Sequence, residues 1–212
     1  EGRVAFRFRW RAVRLLGEGI LADAVVVAAT GHPAPGGAPT DTLYTFGDPQ
    51  IANGAVVFPS TTRAGIKGIY TNLGGPIARV TAIGSTVPTP VNGLVGAVKS
   101  LLIADTAIHW MGGLYQGYGG VTSASDMVVY RWTPAAGTQL VLREGMALGT
   151  LGTYLKAFAS LTAANPVEAQ SRYQLGSGIL AQVTFGTGAA GIIRAEPGAV
   201  ELIAATGQPL GG

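Results

Sequence analysis

Residues Val27–Pro33 read VAATGHP, and Ile203–Pro209 read IAATGQP. Two looser versions of the phrase lie between them, VTAIGSTVP over Val80–Pro88 and LVLREGMAL over Leu140–Leu148. Each is an apolar run that stops at a glycine: Gly31, Gly84, Gly145 and Gly207. These glycines are 53, 61 and 62 residues apart. A near-constant period of this size is the mark of a repeat architecture, in which each unit hides its apolar face only against a neighbour. The phrase itself reads as strand-to-loop punctuation: β-branched and alanine residues for a buried strand, glycine for the bend, proline for the exit.

Working outward from the phrase, the units share an order of apolar strand, turn, strand ending in an aromatic (Phe58, Trp110, Phe185), then a hairpin that closes at the key glycine. The second unit places Asn53-Gly54 between apolar runs, the strongest short hairpin signal. The closing hairpins open with GIY at Gly68, VVY at Val128 and GII at Gly191. The third unit carries an insert, GGLYQGYGGVTSASD, over Gly112–Asp126. Leu161–Ala169 has little helical period and is broken by Asn165-Pro166, so it reads as loop. The expected fold is all-β: a β-propeller-like array of about four four-stranded antiparallel units, the first incomplete. The units span approximately 1–40, 41–92, 93–150 and 151–212, as a single repeat domain over 1–212. With three strands in the first unit, a closed ring calls for a sixteenth strand. Residues outside this stretch, or a neighbouring molecule at an open strand edge, would supply it.

The order TGHPAPG (Thr30–Gly36), then FGDPQIANGAVVF (Phe46–Phe58), then GIY, resembles a tandem repeat of secreted bacterial proteins. In that propeller-like family, the repeat runs roughly GDPAPG, F, P-I-N-x-x-G-x-VAF, G-I-Y, and its members often carry a sorting anchor. The resemblance is good over 25–90, fair over 178–212 and weak over 94–149. It departs where Asn53 directly follows Ala52 and where 111–126 are inserted. It implies a propeller-like fold and an extracellular, periplasmic or cell-surface location, and it brings no catalytic residue with it.

Composition narrows the function classes. Only 12% of the 212 residues are charged, about half the usual ~25%. That fits either a globule with a Ser, Thr, Gly and Ala surface or a subunit whose sides are covered by partners. Net charge is +3, and the first fourteen residues carry five arginines against Glu1. The remainder is close to neutral, which speaks against a nucleic-acid surface. The absence of cysteine excludes disulfides and thiolate metal sites. No apolar stretch reaches the ~20 residues of a membrane span, and the opening EGRVAFRFRW is not a signal peptide.

Arg3–Arg11 reads RVAFRFRWR, with Val4, Phe6, Phe8 and Trp10 alternating with Ala5, Arg7, Arg9 and Arg11. This predicts a half-buried strand with aromatics on one face and arginines on the other. The arginine face reads as a solvated face or as a docking stripe for an anionic partner or surface. The insert region supplies Trp110, Tyr115, Tyr118 and Gln116 among five glycines. Aromatic faces with few polar groups suit a protein contact or sugar stacking, and the plainer reading is a loop folded over its own unit.

Catalytic signals are sparse. His32 sits in a Pro/Gly loop whose counterpart is Gln208, and His109 lies at a strand end. Asp48 is a turn residue in FGDP. Asp105 and Asp126 flank the insert, and together they could form the carboxylate pair of a glycoside hydrolase. No nucleophile, phosphate-loop, dinucleotide or calcium-loop motif occurs. The expectation is a non-catalytic, exported structural or interaction protein, without a cofactor, acting as a subunit of a larger extracellular or membrane-associated assembly. Its contact surfaces would be Arg7, Arg9, Arg11, Trp110, Tyr115 and Tyr118. It would self-associate or meet a protein partner through open strand edges, with polysaccharide or an anionic surface as further partners. A polysaccharide-acting propeller enzyme and a carbohydrate-binding module stand as alternatives.

Overall fold

The computed structural model describes residues 3–12, 15–104, 106–163 and 178–207. These build four antiparallel sheets in chain order, and no α-helix occurs among the described residues. Sheet I holds β1 (Ala5–Ala12), β2 (Leu15–Ala22) and β3 (Val25–Ala29). Sheet II holds β4 (Leu43–Phe46), β5 (Gln50–Ala52), β6 (Ala55–Thr62), β7 (Lys67–Thr71) and β8 (Ala78–Ala82). Sheet III runs from β9 (Thr86–Val87) through β10 (Gly93–Ala104), β11 (Ala107–Leu114) and β12 (Met127–Thr133) to β13 (Gly137–Arg143). Sheet IV runs from β14 (Ala147–Leu148) through β15 (Thr153–Ala163), β16 (Ile179–Phe185) and β17 (Ala190–Glu196) to β18 (Ala199–Ala205). This is the propeller-like array, with a three-stranded first unit.

The key glycines do the same work at each junction. Gly31, Gly84, Gly145 and Gly207 have φ of +92°, +81°, +79° and +85°. Only glycine takes this left-handed conformation without a steric penalty. At the first three, the glycine amide donates to a carbonyl on the next sheet: Leu43, Val95 or Leu155. Each of those residues donates its own amide back, to the carbonyl of His32, Ser85 or Met146. A two-bond clasp therefore joins each sheet to its successor.

Three cores lie between the sheets. Ile20 and Ala28 of sheet I meet Phe58 and Tyr70 of sheet II. Val57 and Ile69 of sheet II meet Ile108, Trp110 and Tyr130 of sheet III. Val129 of sheet III meets Ile179, Val183 and Ile193 of sheet IV. The Trp110 and Tyr130 rings lie 4.8 Å apart. Burying each such side chain stabilises the fold by roughly 2–3 kcal/mol. Side chains also cross the junctions. Gln50 donates from Nε2 to the Leu101 carbonyl at 2.6 Å and accepts from the Ile103 amide at 3.2 Å.

Asn53-Gly54 forms the expected tight turn, with φ of +48° and +80° and Ala52 opposite Ala55. Three expectations need correction. Gly17-Glu18-Gly19 reads as a turn in sequence, yet β2 passes straight through it. The glycines instead make room for rings from β1: a Cβ on Gly17 would lie 2.0 Å from the Trp10 indole, and one on Gly19 would lie 2.8 Å from Phe8. The turn after β2 falls at Asp23-Ala24, at φ of +48° and +66°. The turn at Gly47–Pro49 falls where the sequence places it, between an apolar run and a short run, and leaves β4 and β5 as separate pieces on β6. The strands with Phe58 and Trp110 continue past them to Thr62 and Leu114; in register, the partner of Phe58 and Trp110 in the fourth unit is Ala181, with Phe185 further along the same face. Finally, Leu161–Ala163 belongs to β15 rather than to a loop; 164–169 lie outside the described residues.

Candidate functional site

The arginine face of β1 turns toward sheet II, although Arg7, Arg9 and Arg11 all stay exposed. Arg7 donates from Nη1 to the Phe46 carbonyl at 2.7 Å and lies 4.0 Å from Asp48. Arg9 Nε is 2.6 Å from Glu18 Oε1, and the other oxygen of Glu18 accepts from the Phe46 amide at 3.2 Å. Arg7 and Glu18 together thus satisfy both backbone groups of Phe46, fastening sheet I to sheet II. Arg11, at the end of the strand, is exposed. Of the proposed stripe, then, Arg7 and Arg9 have partners within their own chain.

The aromatics of the same strand lie on the opposite, open side. Phe6 is 46% exposed and Val4 is more so. Phe6, Leu21 and Val26 form one row across β1, β2 and β3, beside the tilted pair Phe8–Trp10 at 5.4 Å. Both faces of this strand are thus partly open: Arg7 and Arg9 stay exposed despite their bonds, while Phe8 and Trp10 are half-buried over Gly19 and Gly17.

At the other end of the array, the outward face of sheet IV is also apolar. Ile192 is 44% exposed. It lines a shallow depression of about 510 Å³ with Leu180, Gln182 and Ala204. The positions matching Ile192 in the other hairpins, Ile69 and Val129, are buried under the next sheet. Sequence reading passed over both end faces, although the continuous apolar run in GIIRA carried the signal of a strand built to be covered on both sides.

Trp110 is fully buried between sheets II and III, which removes it from any contact surface. The alternation of β11 turns it onto the face that meets Val57 and Ile69. The insert does fold back over its own sheet. Val121 is buried beneath it, the Tyr115 amide donates to the Leu94 carbonyl, and the Gly117 amide donates to Val121. This leaves Tyr115 44% and Tyr118 53% exposed, their rings 6.5 Å apart and edge-on. Between them, Gln116 Nε2 donates to Asp126 Oδ2 at 2.8 Å.

The titratable groups do not gather as expected. Asp105 lies outside the described residues, so its pairing with Asp126 has no geometry. Asp126 instead neighbours Glu144. Burial pushes the Glu144 carboxyl up, the Met127 amide that it accepts opposes this, and the Asp126 charge adds to the rise. Glu144 precedes the key glycine where the other copies have Thr30, Ile83 and Thr206, a departure visible in the sequence. His109 is 1% exposed, opposite Arg131, with no hydrogen-bond partner for either ring nitrogen. Burial, then Arg131, pulls its pKa down to about 4. His32 is an exposed turn residue, and Gln208 lies outside the described residues. Among the described residues no group of His, Asp and Glu could hold a metal ion, and no helix is long and apolar enough to cross a membrane.

A family model described as a family of unknown function, DUF7453, matches residues 2–212, and the chain belongs to that family. No curated protein and no solved structure matches it.

Proposed function

We propose that this protein is a non-catalytic, exported structural and interaction module that works as a subunit of a larger extracellular or surface assembly. The observation that carries this reading is the pair of uncovered apolar faces at the two ends of the array. Phe6, Leu21 and Val26 form one, and Ile192, Leu180 and Ala204 the other. Apolar surface gathered into a patch costs stability in water and is a mark of contact with a partner. The low share of charged residues, 12%, agrees with a surface meant to be covered. Cell fractionation with native electrophoresis tests the reading. The protein is expected in the exported or surface fraction, in complexes well above its own 21.5 kDa. Recovery of a lone chain in the cytoplasm overturns it.

A second reading, carbohydrate binding, has one specific observation in its favour. Tyr115 and Tyr118 stand exposed with their rings 6.5 Å apart, and Gln116, between them in sequence, bonds Asp126. Aromatic faces flanking a polar pair suit a sugar ring, which offers C–H groups to the one and hydroxyls to the other. A glycan array with wild type against the Tyr115→Ala, Tyr118→Ala double variant separates the two readings.

A further inference from the structure

We propose that the outward face of sheet IV docks on the outward face of sheet I of a second copy of this chain, head to tail. The inference rests on the interaction-module reading above and names its partner.

The argument comes from the polarity of the repeat. Every sheet has two unlike faces. One turns toward the preceding sheet and carries Phe58 and Tyr70 in sheet II, Trp110 and Tyr130 in sheet III, and Ile179 and Ile193 in sheet IV. The other turns toward the following sheet and carries Ile20, Ile69 and Val129 in sheets I, II and III. At all three junctions, a following-type face meets a preceding-type face. Among the described residues, one face of each type is left over. Sheet IV presents Ile192, at the position equivalent to Ile69 and Val129 in the other hairpins. Sheet I presents Phe6, Leu21 and Val26 on the side away from sheet II. The leftover surfaces are thus the two halves of an interface that the chain already makes three times.

The chemistry of the two faces fits this pairing. Both are apolar at their centre, with Phe6 and Ile192 each nearly half exposed. The charges beside Ile192 are paired within the sheet, Arg194 with Glu196 at 2.9 Å and with Glu201 at 3.5 Å, which leaves one net negative charge there. The Thr206-Gly207 turn at the edge of sheet IV has the conformation of the three turns that clasp a following sheet, φ +85°. Because the two faces differ, the contact is heterologous, so wild-type chains would add end to end into a ring or a filament rather than stop at a symmetric pair.

The test is light scattering after size-exclusion chromatography on purified chain 1–212 over a broad concentration range. The mass is expected to rise above 21.5 kDa with concentration. Ile192→Arg and Phe6→Arg should each weaken association at least about tenfold by placing a charge in the contact. Both side chains are exposed in the single chain, so both variants fold; Ala204→Arg and Val26→Arg form a second pair of probes. The deciding step is to mix the two variants. Each blocks one face and keeps the other, so the mixture should regain association and stop at two chains. A wild-type chain that stays monomeric, or a mixture that does not associate, overturns the proposal. A monomeric purified chain combined with a large native complex in cells sinks the head-to-tail contact alone and leaves the interaction-module reading standing. Monomers in both settings sink both.

Discussion

Gln50 reaches from β5 of sheet II to the main chain of sheet III, and its Nε2 donates to the carbonyl of Leu101 at 2.6 Å. Its Oε1 accepts from the Ile103 amide in the same stroke. The side chain imitates a strand neighbour along the edge of β10, which β9 pairs only at Gly93 and Leu94. Gln50→Ala should cost about 1–2 kcal/mol, because two backbone groups lose their partner. Gln50→Glu should cost more, since a carboxylate would face the Leu101 carbonyl. Thermal melts of the two variants check the order.

Arg7 and Glu18 make the matching connection between sheets I and II. Arg7→Glu and Glu18→Ala should loosen sheet I, each by about 1–2 kcal/mol, while Arg11→Glu changes stability little. Hydrogen exchange is the measurement. Amides of β1 to β3 should lose protection first, and those of sheet III should keep it. Equal loss across all four sheets would contradict the local character of the fastening.

Two kinds of glycine should respond differently to alanine. Nothing lies near the Cβ direction of Gly84, so Gly84→Ala pays only the left-handed conformation, about 1–2 kcal/mol. At Gly112 a Cβ would stand 2.1 Å from the Ala97 carbonyl, so Gly112→Ala has to part β10 from β11 and should cost clearly more. Chemical denaturation gives both differences.

His109 should make the protein acid-sensitive. Its pKa is pulled from 6.5 to about 4 in the fold, by burial first and by Arg131 second. The unfolded chain therefore binds the proton more readily. Stability from this group is full above about pH 6.5 and falls as the pH drops toward 4, by up to about 3 kcal/mol. His109→Leu should flatten stability across that window; a wild-type curve already flat between pH 6.5 and 4 would contradict it.

Tyr115→Ala with Tyr118→Ala should leave the melting temperature nearly unchanged, because Val121 and the backbone bonds hold the insert. If the carbohydrate reading holds, the same variant loses glycan binding. A binding strength equal to wild type removes that reading.

The parts legible in the sequence were those set by local rules. A left-handed glycine closes a strand wherever it occurs, so Gly31, Gly84, Gly145 and Gly207 disclosed the array, and Asn53-Gly54 disclosed its turn. What a face meets is not local. Alternation in Val4–Arg11 showed two unlike faces but could not say that Arg7 would find the backbone of Phe46 while Phe6 stayed open. Gly17 and Gly19 misled for the same reason: their purpose lies one strand away, under Trp10 and Phe8. Trp110 looked like part of the insert and belongs to the core beside it.

The glycine clasp itself uses only the end of one sheet and one residue of the first or second strand of the next, Leu43, Val95 or Leu155. Each joint is therefore a self-contained coupling. A whole unit could be spliced out or duplicated between two clasps, and the remaining joints would still close in the same geometry, the additive behaviour of a one-dimensional array. Gene duplication would lengthen such an array without redesigning it.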